Sequence, residues 1–308
     1  MKKLLIVIAV IAISFSEAMG QVGIGNMNPD PSALVEVNST TRGLLPTRMT
    51  YAQLCAVPSP QPGMVIFCTD CSDGSGCLYA FEGGGWHCSG ERPIFQTSCG
   101  SEYNYYPIKM VGYYWFDRNL GASHVATSLT DYQAYGSHYQ WGRKADGHQC
   151  ITWTSSTTGN FANGATLTQC NSSTCPNALF VKRTSATYDW ITPYNNTLWN
   201  GTTKGANDPC PPGYRVPTLG ELTALEASFS PSNQDGAFAS PLKLTLSGNR
   251  KRYDATLASA GVTGTFWSST YYNYGNQDWA YYLNFTQVTA DLQTDYKATG
   301  FTIRCIRE

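Results

Sequence analysis

Residues 208–222 read DPCPPGYRVPTLGEL, and their order says where the chain turns a corner into a helix. The run Cys210-Pro211-Pro212-Gly213 is a turn: proline fixes φ and withdraws a backbone donor, and glycine tolerates tight geometry. Thr218 followed three residues later by Glu221 is a capping box, the signature of a helix start. Leu222, Leu225 and Phe229 then fall on one face of the predicted helix. Downstream the period drops from helical to alternating. Trp279, Tyr281, Leu283 and Phe285 are expected on one face of a strand, and Phe301, Ile303 and Cys305 on one face of another. Upstream, residues 150–208 are dominated by Thr, Ser, Asn and Gly, which predicts long surface loops of the kind that carry binding functions. A strand-like start, long loops, one main helix and a run of strands predict an α+β fold with an antiparallel sheet.

The opposite end of the chain speaks about address. Lys2 and Lys3 precede an apolar run from Leu4 to Ile13, and Ala18 and Gly20 stand at −3 and −1 of a cut before Gln21. That is the layout of a secretory signal peptide over residues 1–20. The run falls short of the ~20 apolar residues that a bilayer span needs, and no cysteine follows the cut closely enough for lipid attachment. No later stretch reads as a span, so the mature chain is expected to be secreted, at the outer membrane surface or extracellular, without a transmembrane segment. Residues 21–90 are rich in Gly, Pro, Asp and Ser and read as a small β-rich presentation segment. Its strands are expected at Leu34–Val37, Met64–Phe67 and Leu78–Phe81, with Asp73-Gly74-Ser75-Gly76 turning a hairpin between the last two. A linker at 91–98 and a second domain at 99–308 follow.

Composition agrees with export. Eleven cysteines in 308 residues suit an oxidising compartment, and an odd number leaves at least one thiol outside any internal pairing. Cys68 and Cys77 flank the predicted hairpin and are expected to bond across it; Cys170 and Cys175 are close enough to close a small loop. Cys55, Cys99 and Cys150 have no partner assignable from sequence. Removing residues 1–20 takes Lys2, Lys3 and Glu17 from the 20 basic and 21 acidic residues, so the mature net charge is −2. That balance gives no attraction to nucleic acid or anionic lipid. Charged residues are only 13% of the chain, whereas Tyr (20) and Trp (8) are plentiful. Such rings suit half-buried strands and sugar-stacking surfaces alike.

Four ordered stretches carry a family resemblance. They are YPIKMVGYYWFDRNL (106–120), the opening 208–222 stretch, FWSST (266–270) and GFTIRCIR (300–307). Together they resemble the Fibrobacter succinogenes major paralogous domain family over some two hundred residues. VGIGNMNPDPSALVEVNSTTRGLLPTRMT (22–50), PGMVIFCTD (62–70) and LYAFEGGGW (78–86) resemble a leader segment common in exported proteins of Bacteroidetes. The Arg-Val-Pro-Thr-x-x-Glu block and the Gly-Phe…Arg-Cys ending are also similar to formylglycine-generating proteins, which implies a C-type lectin-like fold for the C-terminal domain. The resemblance makes Trp267 a core aromatic. It also places Cys210 at the helix start and Cys305 in the closing strand, where they are expected to bond. Closing a loop of that length stabilises by about 4.7 kcal/mol in the chain-entropy estimate.

The chemistry is weighed on particular residues. A carbohydrate-binding or adhesive module, partnering a glycan or a surface protein, is the first expectation; Tyr271, Tyr272, Tyr274 and Trp199 are its candidate stacking rings. No metal is fixed by the sequence, but Asn276, Gln277 and Asp278 offer the side-chain oxygens that calcium takes. A structural surface-assembly subunit without a small ligand is the alternative. A formylglycine-generating-like oxidase is a remote one, because that chemistry needs a reactive cysteine pair and the closing region offers Cys305 alone. Histidines 87, 124, 138 and 148 fit no hydrolase motif; His138 and His148, with Asp146 between them, are the pair closest to a metal-site spacing. No catalytic residue is expected.

Overall fold

The computed structural model describes residues 21–71, 76–82, 85–88, 94–199, 201–272 and 278–308. They divide after Thr47 into two compact units. The signal peptide expected at 1–20 lies outside the described residues, as does most of the hairpin turn at 73–76.

The smaller unit is built on two short parallel strands, β1 (Val22–Ile24) and β2 (Val35–Val37), with Val22 opposite Val35. Its connection is held by carboxylates. Glu36 accepts from Asn26 Nδ2 and from the Asp30 backbone N–H, and Asp30 in turn accepts from Ser32. The apolar side chains face outward: Met27 is 97% exposed, Leu45 77% and Leu44 75%. A two-stranded sheet is at best marginal alone in water.

The larger unit starts with β3 (Arg48–Met49), helix α1 (Tyr51–Cys55), β4 (Val65–Cys68), β5 (Cys77–Glu82) and β6 (Gly85–Cys88), a sheet in the order β3-β4-β5-β6. Thr50 and Gln53 cap α1 reciprocally, and Leu54, Ile66, Cys68 and Cys71 form a small core beneath it. The stretch expected as a linker contains a strand, β7 (Ile94–Ser98), paired antiparallel with β8 (Ser101–Tyr105). Alternating burial of Ile94, Gln96 and Ser98 is what pins it.

The body proper begins with a hairpin, β9 (Pro107–Met110) and β10 (Tyr113–Phe116). Strand β11 (Tyr139–Gln140) follows, then four short strands in the loop-rich stretch: β12 (Ile151–Trp153), β13 (Gly159–Phe161), β14 (Ala165–Thr166) and β15 (Phe180–Val181). Next comes β16 (Tyr214–Arg215), reached through the turn at 211–214. There Tyr214 N–H donates to Pro211 O at 3.0 Å, and Gly213 sits at φ +78, a conformation that glycine adopts without strain.

Helix α2 (Leu219–Glu226) starts at Thr218 with both halves of the capping box formed. It lies on the meander β19 (Gly264–Tyr271), β20 (Trp279–Phe285) and β21 (Ala290–Tyr296), burying Leu222 and Leu225 with Phe229 against Phe266, Leu283 and Phe285. A short α3 (Gln234–Ala239) and the pair β17 (Asn249–Arg250) and β18 (Leu257–Ala258) stand before the meander in sequence; β22 (Gly300–Phe301) and β23 (Ile306–Arg307) follow it. The closing strand β23 inserts between β16 and β10, with Ile306 opposite both Trp115 and Arg215. The result is an α+β fold of mainly antiparallel sheets.

Two strand faces differ from the expected pattern. On β20, Leu283 and Phe285 are buried under α2, but Trp279 and Tyr281 are only half-buried, while Ala280 and Tyr282 on the reverse face are buried in a second core. In the last segment Thr302 and Arg304 are as buried as Phe301, Ile303 and Cys305. Both stretches are covered on two sides, so alternation does not separate inside from outside.

Candidate functional site

The residues of the four motifs turn out to hold the body together. Arg304, inside the body, donates to Asn119 Oδ1 at 3.1 and 2.7 Å and to the carbonyls of Phe116 and Leu242. Asn119 passes the network on, donating to the carbonyls of Ala134 and Tyr135 and to Thr245. Arg215 and Glu221 form a bidentate pair at 2.8 and 2.6 Å, which explains an acid in the first turn of α2 beyond its capping role. Trp267 is fully buried and donates to Tyr139 O; Trp141 donates to Ser268 O. Cys210 and Cys305 are bonded, tying the helix approach to the closing segment.

The other cysteines pair as Cys68–Cys71, Cys77–Cys88, Cys99–Cys150 and Cys170–Cys175, leaving Cys55 free. The bond expected between Cys68 and Cys77 is therefore not made. The register does set these two residues opposite each other across β4 and β5, but the chain turns back to bring Cys71 within 5.6 Å of Cys68, and β6 brings Cys88 within 5.9 Å of Cys77 (Cα to Cα). The cluster Cys68, Asp70 and Cys71 has the proximity of a metal site, yet its two sulfurs are spent on each other.

Neither histidine of the 138/148 pair is placed as a ligand. His148 is buried, bonded through Nδ1 to Asp146 at 2.7 Å, and accepts at Nε2 from the Gln140 N–H. Burial next to Arg143 holds it neutral, down to about 3. His138 is buried too, and burial next to Arg250 likewise holds it to about 3.

The candidate stacking rings separate sharply. Trp199 has no exposed surface, packs at 5.6 Å from the Trp141 ring and donates to Asn207 O; it is a core residue and cannot stack on a ligand. Tyr274, Asn276 and Gln277 lie outside the described residues. Tyr271 is half-buried against the core. Asp278 accepts the Tyr188 backbone N–H at 2.7 Å, so one oxygen of the calcium candidate is already engaged. Tyr272 is half-buried, its ring 6.0 Å from Trp279 and 5.7 Å from Tyr281.

Around these residues the structure assembles a strip that sequence reading did not find. Trp279 sits opposite Tyr296 across β20 and β21, rings 4.8 Å apart, and the Tyr188 ring packs at a tilt against Tyr296 at 4.3 Å. The Arg252 guanidinium lies 4.5 Å from the Tyr296 ring and 4.9 Å from that of Tyr188. Among the described residues, neither Trp279 Nε1 nor Arg252 Nε has a hydrogen-bond partner. Both atoms are buried, so what the strip presents is half-buried aromatic faces beside a guanidinium, which suit a ligand with a flat apolar side. Residues 188, 252, 279 and 296 come from four separate segments, so no local spacing could have announced them.

In class, then, this is a disulfide-stapled α+β protein with a half-buried aromatic strip. Residues 23–117 match a family model described as a phage tail like trimerisation region. No curated protein and no solved structure matches the chain. Among the described residues no helix is long and apolar enough to cross a membrane.

Proposed function

We propose that the chain is a non-catalytic subunit of an exported surface assembly, in which the N-terminal region associates as a homotrimer and displays the C-terminal body. The similarity of residues 23–117 to a trimerisation region carries this reading. The apolar side chains that β1, β2 and their flanks leave in solvent support it, since they have no core of their own to join. Purified chain lacking residues 1–20 should sediment as a trimer; a monomer at high concentration would sink the proposal.

On the same reading the body is a Fibrobacter succinogenes major paralogous domain with a C-type lectin-like fold. Its support is the set of motif residues that meet inside: Asn119 with Arg304, Arg215 with Glu221, and Cys210 with Cys305. A second reading, glycan binding, is favoured by the half-buried aromatic faces of the Tyr188–Arg252–Trp279–Tyr296 strip. A glycan array run with calcium and with chelator separates the two readings. Binding lost on Trp279→Ala supports the strip, and loss with chelator brings in Asp278 and its neighbours. A blank array leaves display of a protein-binding surface.

A further inference from the structure

Lys297 directly follows β21 with its side chain wholly buried, an expensive place for an ammonium group. Its backbone is locked: Lys297 N–H donates to Asp278 O, and Trp141 N–H donates to Lys297 O. The amine is walled by the rings of Trp141, 4.7 Å away, and Tyr271, 5.8 Å away. Asn196 and Asp189 share that chamber. Nζ donates to the side-chain carbonyl of Asn196, and a carboxylate oxygen of Asp189, itself only 1% exposed, lies 3.7 Å from Nζ. Next to Asp189, Trp190 Nε1 donates to Trp141 O; Asn196 lies within an Asx turn in which Asn195 accepts from Thr197.

A buried amine, a carboxamide carbon beside it and a buried acid are the three parts of a self-catalysed amide exchange. Burial lowers the Lys297 amine and lifts the Asp189 carboxyl to about 7, so both shifts move the pair toward its neutral forms. The uncharged amine is a nucleophile, and the fold holds it, wholly buried, against its half-buried electrophile. Lys204 shows the contrast. It is a quarter exposed and meets Asp208 together with the backbone carbonyls of Cys210 and Tyr214, none of which carries a departing amine on a side chain.

We propose that Lys297 and Asn196 are joined by an intramolecular isopeptide bond, formed by the folded chain with Asp189 moving the protons. The Lys297 Nζ lone pair attacks Asn196 Cγ, and Asp189 gives its proton to the carbonyl oxygen. The carboxylate then takes a proton from the new ammonium, delivers it to the departing –NH₂, and takes back the hydroxyl proton as the carbonyl reforms. The Nζ–Cγ bond forms, the Cγ–Nδ2 bond breaks, one ammonia leaves and Asp189 ends protonated, with no oxidant or cofactor. The bond staples the loop around residue 196 to the end of the meander and survives reductants that open all five disulfides.

Peptide mapping of the reduced, alkylated full chain after trypsin tests this. Trypsin should yield residues 184–204 joined to 253–304 as one branched species, lighter than its parts by one ammonia and uncut after Lys297. This readout is blind to ammonia lost by cyclisation of Gln21. Free 253–297 and 298–304 from folded protein overturn the proposal. Asp189→Asn should leave the two peptides separate; a full yield of branched peptide in that variant would remove Asp189 from the mechanism.

Discussion

Residues 21–47 and residues 48–308 solve opposite problems. In the first unit Met27, Leu34, Leu44 and Leu45 face solvent, no cysteine is present, and the hydrogen bonds that organise it run through Asp30 and Glu36 at the surface. In the second, even the charged groups are inside and answered: Arg304 by Asn119, Arg215 by Glu221. A unit that answers its buried arginines in this way can stand alone, whereas one that leaves its apolar residues outside is shaped for company.

The contrast can be broken in four places. Deleting residues 21–47 has the largest expected effect: the assembly falls from trimer to monomer, while the far-ultraviolet spectrum and melting of the remainder hold. If the trimer survives, the smaller unit is not the interface. Within the body, replacing Cys210 and Cys305 together by alanine should lower stability by about 4.7 kcal/mol in the loop-entropy estimate, read by urea denaturation. Glu221→Ala strands the buried Arg215 and removes a cap, with an expected loss of about 3–5 kcal/mol; a loss below about 1 kcal/mol would mean the pair is solvated.

The smallest effect is in pH. His138 and His148 are held neutral down to about 3 in the folded chain, below the ordinary imidazole value. The unfolded chain therefore binds the extra protons, and the stability these two groups contribute is lost as pH falls from about 6.5 toward 3, at about 1.4 kcal/mol per pH unit for each. His138→Phe should flatten that slope by one histidine's share; an unchanged slope would show that His138 is already protonated when folded.

What could be read in the sequence was local. Thr218 and Glu221 specify a helix start because both halves of a capping box lie within four residues. The turn before it is spelled by Pro212 and Gly213, each with its own backbone preference. Trp199 was misread because an aromatic in a polar stretch carries no mark of depth, and here Trp141 and Asn207 close over it. Cys68 and Cys77 show that opposite register does not decide which sulfur bonds which when a third and fourth lie within reach. The Arg252 strip and the Lys297 chamber escaped notice because loops far apart in sequence build them.

The placement of β23 beside β10 has a further meaning. The hairpin that opens the body and the strand that closes it share one sheet, so everything from Asp117 to Cys305 is an excursion returning to its own doorstep. Such a body behaves like a stem with a large loop. Segments in the excursion that stay out of that sheet, as β16 does not, can lengthen, shorten or be exchanged without moving the stem. Variation between copies of such a module would then collect in the 150–208 stretch, while the stem's Trp115 and Ile306 stayed where they are.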